Sequence, residues 1–345
     1  CGTNNSGNIY PKMPSMDDFA FIKIENTDGV IIENLFVEGC WPCFVVAKNC
    51  QNIHIIDNHI EDGRYPIFAY GEKSEDFKVI KNYWKQDTSE AIWQDIDWEY
   101  THHTHYAALN GAFFGSVDFR SGLVFAKNTI EYAFNGLRMT IRDKASTELN
   151  LNVEVYENTF NYIRDNAIEP ESHALNWHIY HNEFFNNYAP FSFDNVRGGH
   201  WLIYGNIGWF NDQPGLPYQS GRGGKIYKFG KKATTTKVSY IFNNSWYTRS
   251  FAIKKSKINN FHHFNNAYQF CDPNEYLQQP CVCKVRDSLT DQFPFETDKW
   301  PSNLVFNYDI SSIPFAESFC NHDQEKQGIV CKSFEFIGPR VGNLR

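Results

Sequence analysis

The sequence predicts an all-β fold: a single-stranded right-handed parallel β-helix of about 9–10 rungs, with a long aromatic loop insert and a C-terminal capping extension. Three observations predict it. A segment centred on asparagine recurs, most often every 24 residues. Short apolar runs alternate with polar turns, as in strands. The 345 residues include 30 Phe, 19 Tyr and 9 Trp but only 3 Met, which favours strands over helices.

The recurring segment has two or three apolar or β-branched residues, one or two polar ones, an asparagine, and then an aromatic or aliphatic residue. Its asparagines are Asn34, Asn58, Asn82, Asn128, Asn158, Asn182, Asn206 and, in weaker copies, Asn244 and Asn266. At about 3.3 Å per residue, roughly 24 residues hold three short strands and three turns, which is one rung of a parallel β-helix. Because stacked rungs lie about 4.8 Å apart, we expect the asparagines to form a ladder of amide hydrogen bonds.

The spacing of the segment also predicts the domain organisation. Residues 1–17 are expected to be a flexible tether, residues 18–270 the β-helix and residues 271–345 a C-terminal cap over the open end, where unpaired strand edges need cover. The step of 46 residues from Asn82 to Asn128 fits either two rungs or one rung with a long insert. Aromatic-rich residues 84–121 and Gly/Pro-rich residues 208–237 are expected to be inserts that wall a binding face.

Composition excludes several classes of protein. The chain has 40 acidic and 32 basic side chains, a net charge of −8, which argues against binding to nucleic acid or to an anionic membrane. No run approaches the roughly 18 apolar residues of a membrane-spanning helix. Nucleic acid is therefore not an expected partner.

The first residue, Cys1, precedes a polar, flexible run at residues 2–7. This start resembles that of a mature bacterial lipoprotein, whose first cysteine carries the lipid. The resemblance implies a lipid anchor at Cys1 as the only membrane contact, and a secreted or outer-surface location. The alternative is that the sequence simply begins at this residue.

Eight further cysteines remain if Cys1 is lipidated. The pair Cys40 and Cys43 has CxxC spacing but no second CxxC at zinc spacing, so it is interpreted as buried thiols or a disulfide rather than a metal site. The others near the C-terminus are candidates for disulfides in an oxidising compartment. They are Cys271, Cys281, Cys283, Cys320 and Cys331.

Three consecutive rungs carry ionisable side chains just after their ladder turns. If Leu137, Ile168 and Phe191 point inward, strand alternation turns a set of polar residues outward. These are Arg138, Thr140, Arg142, Glu169, Glu171, Ser192 and Asp194. Glu171 and Asp194 are 23 residues apart, about one rung, so we expect them to lie side by side; a slip of one residue would turn Asp194 away.

Clustered carboxyl groups repel one another, so one tends to keep its proton near neutral pH. A protonated acid beside an ionised one is the arrangement used in glycoside hydrolysis. The expected roles are Glu171 as proton donor, and Glu169 or Asp194 as base or nucleophile. Arg138 and Arg142 are expected to hold a uronate or sulfate. The alternative is a solvated ladder of ion pairs on the surface.

The two inserts supply further candidates for substrate binding. Aromatic rings in the first could stack on pyranose rings or pack onto the helix, and histidines there are expected to line the sugar groove rather than to bind a metal. These residues are Trp93, Trp98, Tyr100, His103 and His105. The second insert contributes Lys228.

The segment Ala167-Ile168-Glu169-Pro170-Glu171 is similar to the Gly-Phe-Asp-Pro-His segment of mannuronan C5-epimerases, and Glu171 stands at their histidine. His173 and Asp194 stand at the catalytic lysine and arginine of chondroitinase B and related alginate lyases. The Glu-x-Glu pair also resembles the Glu-x-Asp acid and base of iota-carrageenase. Over residues 18–270 the chain thus resembles the right-handed β-helix superfamily of polysaccharide lyases, epimerases and hydrolases.

The resemblance implies an extracellular or surface-anchored enzyme, first a glycoside hydrolase acting on an acidic or sulfated polysaccharide, without a cofactor. In a lyase or epimerase His173 would be the base, and Arg138 or a Ca²⁺ ion would neutralise the uronate carboxylate. A third possibility is a glycan-binding or adhesive β-helix without catalysis, which would act with partner proteins in a surface complex.

Overall fold

A computed structural model describes residues 20–40, 42–86, 110–194, 196–210, 226–229, 236–248, 253–254, 261–264, 266–270, 304–306, 320–321 and 330–331. Within these ranges the chain is all-β, with 31 strands numbered β1 to β31 in chain order. The described residues include no helix long and apolar enough to cross a membrane.

Three parallel sheets each take about every third strand of the chain. The first sheet contains β1 (Ile22–Glu25), β4 (Val45–Lys48), β7 (Ile67–Tyr70), β10 (Ala112–Val117), β13 (Asn135–Thr140), β16 (Asn166–Pro170), β19 (Ala189–Phe193), β23 (Tyr227–Phe229) and β26 (Ile253–Lys254). The second contains β2 (Asp28–Glu33), β5 (Gln51–Ile56), β8 (Glu75–Ile80), β11 (Ser121–Ala126), β14 (Leu151–Tyr156), β17 (His173–Tyr180), β21 (Leu202–Tyr204), β24 (Ser239–Phe242) and β27 (Phe261–Phe264), with β20 (Arg197–Gly199) beside β17. The third contains β3 (Phe36–Glu38), β6 (His59–Glu61), β9 (Tyr83–Lys85), β12 (Thr129–Glu131), β15 (Thr159–Asn161), β18 (Glu183–Phe185), β22 (Ile207–Trp209), β25 (Ser245–Thr248), β28 (Ala267–Phe270) and β29 (Leu304–Phe306).

This order fits a parallel β-helix, in which a rung is one strand from each sheet in succession. Strand β29 adds to the third sheet from within the predicted capping segment. Beyond it, β30 (Cys320–Asn321) pairs antiparallel with β31 (Val330–Cys331), and Cys320 is level with Cys331.

The step of 46 residues between Asn82 and Asn128 is one rung with an insert, because β10 pairs directly with β7. The predicted insert at residues 84–121 was too long. Phe113 and Phe114 lie in β10, and together with Phe119 they are buried in the core. These aromatic side chains therefore fill the interior of the rung rather than a binding loop.

The predicted asparagine ladder forms inside the turn between the second and third sheets. Each amide Nδ2 donates to the Oδ1 of the next asparagine at 2.8–3.1 Å. Its members are Asn58, Asn82, Asn128, Asn158, Asn182, Asn206, Asn244 and Asn266. The ladder satisfies buried polar groups that would otherwise be costly, and it keeps the rungs in register.

The assignment of Asn34 to the ladder was wrong by one residue. The backbone N–H of Leu35, not of Asn34, donates to Asn58 Oδ1 at 3.1 Å. Asn34 takes the left-handed backbone (φ 57°) of the turn, the position that Asp57 and Lys81 occupy in the next two rungs. Asparagine tolerates this conformation, which explains a second asparagine position one residue before the ladder.

The core fills the space between the three sheets with stacked apolar side chains. Phe160 and Phe184, on neighbouring strands of the third sheet, stack with ring centroids 5.1 Å apart. Trp177 and Trp201 are also fully buried, and the indole nitrogen of each donates to a backbone carbonyl. Burial of each such ring contributes about 1.5–3 kcal/mol relative to exposure.

The three N-terminal cysteines of the described region, Cys40, Cys43 and Cys50, are all buried, as predicted for the first two. Cys43 and Cys50 are thiols. The Cys50 thiol donates to the carbonyl oxygens of Lys48 and Ile24 at 3.3 and 3.4 Å. These side chains therefore pack in the first rungs.

Candidate active site

A row of polar side chains crosses the outer face of the first sheet, on strands β13, β16, β19 and β23. Arg138 pairs in register with Glu169, and Ser192 pairs with Lys228. Since Ile168 pairs with Phe191, Glu169 and Ser192 lie at the same level of neighbouring strands. The predicted one-rung offset of 23 residues is confirmed by this register.

The predicted alternation is also confirmed around this row. Leu137, Ile168 and Phe191 are buried in the core, and Arg138 lies on the other face of the sheet. Ser192 also lies on the outer side, but it is fully buried, and its Oγ has no hydrogen-bond partner in the described part of the chain. An unpaired hydroxyl thus lies in the row beside Glu169.

Arg138 joins the two glutamates of the Glu-x-Glu motif. Its Nη2 donates to Oε1 of Glu171 at 2.7 Å, and its Nε donates to the same oxygen at 3.2 Å. Its Nε also lies 3.5 Å from Oε2 of Glu169. Burial lowers the pKa of Arg138, but the nearby groups of Glu169, Tyr65 and Glu171 raise it by more than burial lowers it. The guanidinium therefore stays charged. One fixed cation therefore contacts both carboxyl groups.

Glu169 is a buried acid of the cluster with a raised pKa. Its side chain is only 9% exposed, and burial raises the pKa of its carboxyl from 4.5 to about 7. Arg138 and Lys228 oppose this rise. The neighbouring carboxylates Asp165 and Glu171 add to it. Glu169 thus stays protonated through most of the acidic pH range and is about half ionised near neutral pH.

The side-chain amide of Asn166 holds the carboxyl of Glu169 in place. Nδ2 of Asn166 donates to Oε1 of Glu169 at 3.1 Å and to Oδ1 of Asp165 at 2.7 Å. The backbone N–H of Asn166 donates to Asn135 Oδ1 at 2.9 Å. Asn135, Asp165 and Asn166 are all buried, so the carboxyl is held on a rigid strand. Such support restricts the geometry of the acid before any ligand arrives.

Asp194 pairs with a lysine rather than with the glutamates. Its Oδ2 lies 3.2 Å from Nζ of Lys228, whose side chain is 13% exposed. Burial lowers the pKa of Lys228, but Asp165, Glu169 and Asp194 raise it more. Lys228 is thus a largely buried cation among three acidic groups, and Asp194 is the one with which it pairs.

Aromatic residues that sequence reasoning did not select lie beside Arg138. The hydroxyl of Tyr65 is 3.4 Å from Arg138 Nη1, and Asn110 Oδ1 accepts a hydrogen bond from the same nitrogen at 2.8 Å. Tyr65 crosses the sheet above Gly115, where an added Cβ would lie 2.3 Å from its ring. Phe68 packs edge-on to Tyr65 at 5.5 Å.

Counting rungs back along the outer row could have found this aromatic group. Arg138 pairs with Gly115, and Gly115 pairs with Phe68. The missing information was the length of the insert, because the 46-residue step was open to two interpretations. With one rung assigned to it, Phe68 falls on the same face as Arg138.

The side chains of two predicted residues pair with groups outside the cluster. Arg142 is bound to Asp118, with its Nε 2.6 Å from Oδ2 and its backbone N–H 2.8 Å from Oδ1. His173 begins β17 of the second sheet, is 3% exposed, and places Nδ1 2.9 Å from the carbonyl oxygen of Leu149. The structure therefore unites Arg138, Glu169 and Glu171, but neither of these two residues joins them.

The other predicted binding residues lie outside the described part of the chain. They are Trp93, Trp98, Tyr100, His103 and His105, together with the anchor candidate Cys1. The described ends of the first insert are Gln86 after β9 and Asn110 before β10. Asn110 contacts Arg138, so this insert rejoins the sheets at the charged cluster.

The Ca²⁺ ion implied for a lyase does not fit the described cluster. No group of three or more His, Cys, Asp or Glu side chains suited to a metal occurs among the described residues. The carboxylates Glu171 and Asp194 already pair with Arg138 and Lys228. The groups of this site that can act as acid or base are therefore protein side chains.

No protein-family model matches the chain, and a search of the curated proteins finds no match either. Fold and site together define an all-β protein of stacked parallel sheets with an acid–base cluster on the outer face of one sheet. A carboxyl with a pKa of about 7 beside an ion-paired carboxylate can donate or accept a proton near neutral pH.

Proposed function

We propose that the three sheets form one right-handed β-helix of the polysaccharide-active superfamily, and that the protein is a glycoside hydrolase. The observation that carries the proposal is the pair Glu169 and Glu171: one carboxyl has its pKa raised to about 7, and the other is held as an ion pair by Arg138. Glycoside hydrolysis needs an acid and a base of this kind close together.

In the proposed reaction Glu169 donates its proton to the glycosidic oxygen. Glu171 leaves its ion pair with Arg138 to activate a water molecule at the anomeric carbon. These roles exchange those expected from sequence, because the raised pKa belongs to Glu169.

The proposed substrate is an acidic or sulfated polysaccharide. A uronate or sulfate would compete with Glu171 for Arg138 and with Asp194 for Lys228, since both cations are already paired. Phe68, which is half-buried and packs against the buried ring of Tyr65, offers apolar surface for an adjacent sugar ring. Such a substrate implies a secreted or cell-surface location.

An activity screen tests the proposal. Purified protein is incubated with alginate, carrageenan, pectin, glycosaminoglycans and fructans, and products are followed by reducing ends and by near-ultraviolet absorbance. The hydrolase predicts new reducing ends without absorbance, lost in Glu169→Gln and Glu171→Gln but kept in Glu157→Gln, whose carboxylate pairs with Lys127 away from the cluster. Absorbing products would instead support a lyase and contradict the hydrolase.

A glycan-binding protein without catalysis is the second candidate. The burial of Glu169, with 7% of the residue exposed, favours it, because a proton donor must reach the glycosidic oxygen. It predicts retention of a polysaccharide with no product, undiminished in Glu171→Gln. In that case the surface complex expected from sequence would be the setting of the function.

A further inference from the structure

A second site lies on the outer face of the second sheet, over β8, β11 and β14. There a cleft of about 420 Å³ opens to solvent. One wall presents Asp76 and Lys78, the other presents Asn152 and Glu154, and Val124 lies between them. The volume is within the roughly 300–1,000 Å³ typical of small-molecule sites. None of these residues belongs to the charged cluster on the first sheet.

The cleft exists because one strand carries short side chains. Lys78, Val124 and Glu154 are level with one another on β8, β11 and β14, so a valine separates two long charged side chains. Next to it, Gly122 adopts a left-handed backbone (φ 80°). A Cβ at this glycine would lie 2.2 Å from Oδ1 of Asp76. Both positions on β11 therefore keep the space above the sheet open.

Some polar side chains of the cleft are held by hydrogen bonds to neighbouring side chains, and others have no such partner among the described residues. Asn152 donates to Ser121 Oγ at 2.9 Å and accepts from Asn176 at 2.8 Å, so its amide is oriented by the neighbouring rungs. The side chains of Asp76, Lys78 and Glu154 have no hydrogen bond or ion pair within the described part of the chain. Their charged ends are available to a ligand.

We propose that this cleft binds one or two sugar residues of a neutral glycan. The carboxylates of Asp76 and Glu154 would accept hydrogen bonds from vicinal hydroxyls, and Lys78 would donate to ring or hydroxyl oxygens. The methyl groups of Val124 would contact the apolar face of the pyranose. Two carboxylates against one ammonium make the lining net negative, which disfavours a uronate or sulfate. The proposal is independent of catalysis at Glu169.

Affinity electrophoresis of the full chain tests it. Native gels contain dextran, laminarin, galactomannan or xyloglucan as neutral probes and alginate as the acidic comparison. The protein carries Glu169→Gln in every lane, so that turnover does not remove the polymer. Val124→Trp fills the cleft. Ile31→Trp is the matched control, because Ile31 lies on the same outer row, level with His54, and is already exposed.

The proposal expects at least one neutral polymer to retard the protein and Ile31→Trp equally, and Val124→Trp to bind at least about tenfold more weakly, a loss of about 1.4 kcal/mol. The double variant Asp76→Asn, Glu154→Gln keeps the shape of the cleft and should weaken binding similarly. Circular dichroism checks that each variant is folded. Absence of retardation by all four neutral polymers, or equal retardation of both tryptophan variants, would overturn the proposal.

Discussion

Oε2 of Glu169 lies 3.5 Å from Nε of Arg138, on the neighbouring strand of the first sheet. Arg138 stabilises the charged form of Glu169, but burial outweighs this effect and the pKa of the carboxyl is raised to about 7. The cation also binds Glu171 at 2.7 Å. Arg138 thus contacts both a buried carboxyl with a raised pKa and the ion-paired carboxylate of Glu171, which is the physical basis of the proposed acid and base.

Replacing Glu169 by Gln should lower the rate of glycan cleavage by about 10²–10⁴-fold, because the amide cannot donate the proton to the leaving oxygen. The amide can still accept the hydrogen bond from Asn166, so the fold should be retained. Reducing-end assays measure the rate, and circular dichroism measures the fold. An unchanged rate in Glu169→Gln would exclude it as the acid.

The rate should depend on pH through the protonated form of Glu169. Activity should fall as the pH rises above about 7, since the acid is then ionised. Lys228→Gln removes a cation that lowers the pKa of Glu169, so the alkaline limb should move to higher pH. Asp194→Asn is the control, because Asp194 contacts Lys228 but not Glu169. If the alkaline limb of the pH–rate profile stayed at the same pH in Lys228→Gln, the role of Glu169 as the acid would be contradicted.

Stability should also depend on pH through Glu169. The pKa of this carboxyl is raised from 4.5 to about 7 on folding, so the folded state binds more protons between these values. Its contribution to the free energy of unfolding is complete below about pH 4.5 and is lost as the pH rises through 7. Urea unfolding at several pH values measures the slope. The slope between pH 4.5 and 7 should be smaller in Glu169→Gln.

The asparagine ladder should contribute strongly to the free energy of unfolding. Asn158 donates through Nδ2 to Phe125 O, Tyr156 O and Asn182 Oδ1 at 2.8–3.0 Å, and all of these contacts lie inside the turn. Asn158→Ala leaves several buried groups unpaired, at about 1–3 kcal/mol each. The control is Asn161→Ala, whose side chain makes a 3.3 Å bond at the half-buried surface. Equal loss of unfolding free energy in both variants would contradict this role.

Much of the fold follows from the recurring asparagine, because a ladder demands the same residue once per rung. The alternation on β13, β16 and β19 follows equally from strand geometry, which predicts Arg138 and Glu169 on one face of the sheet, where Arg138 contacts both glutamates. The first rung differs: Leu35 takes the ladder position and Asn34 the turn. Among the described residues this rung has a neighbouring rung on one side only, which places fewer constraints on its sequence.

What the sequence could not predict was burial. Glu169 and Glu171 look equivalent in the motif, yet Glu169 is the one that is buried and bonded to Asn166, and burial raises its pKa. Tyr65 reaches Arg138 because Gly115 leaves room for its ring, a contact that depends on three separate rungs. Such contacts depend on side-chain packing, and pattern and spacing do not determine it.

The most direct measurement is the titration of the Glu169 carboxyl by ¹³C NMR of protein labelled at glutamate, with Glu169→Gln used to assign the resonance. The account predicts a midpoint near pH 7, well above the ordinary value of 4.5 for glutamate. A midpoint near 4.5 would contradict it, because Glu169 would then be ionised at neutral pH and unable to serve as the acid.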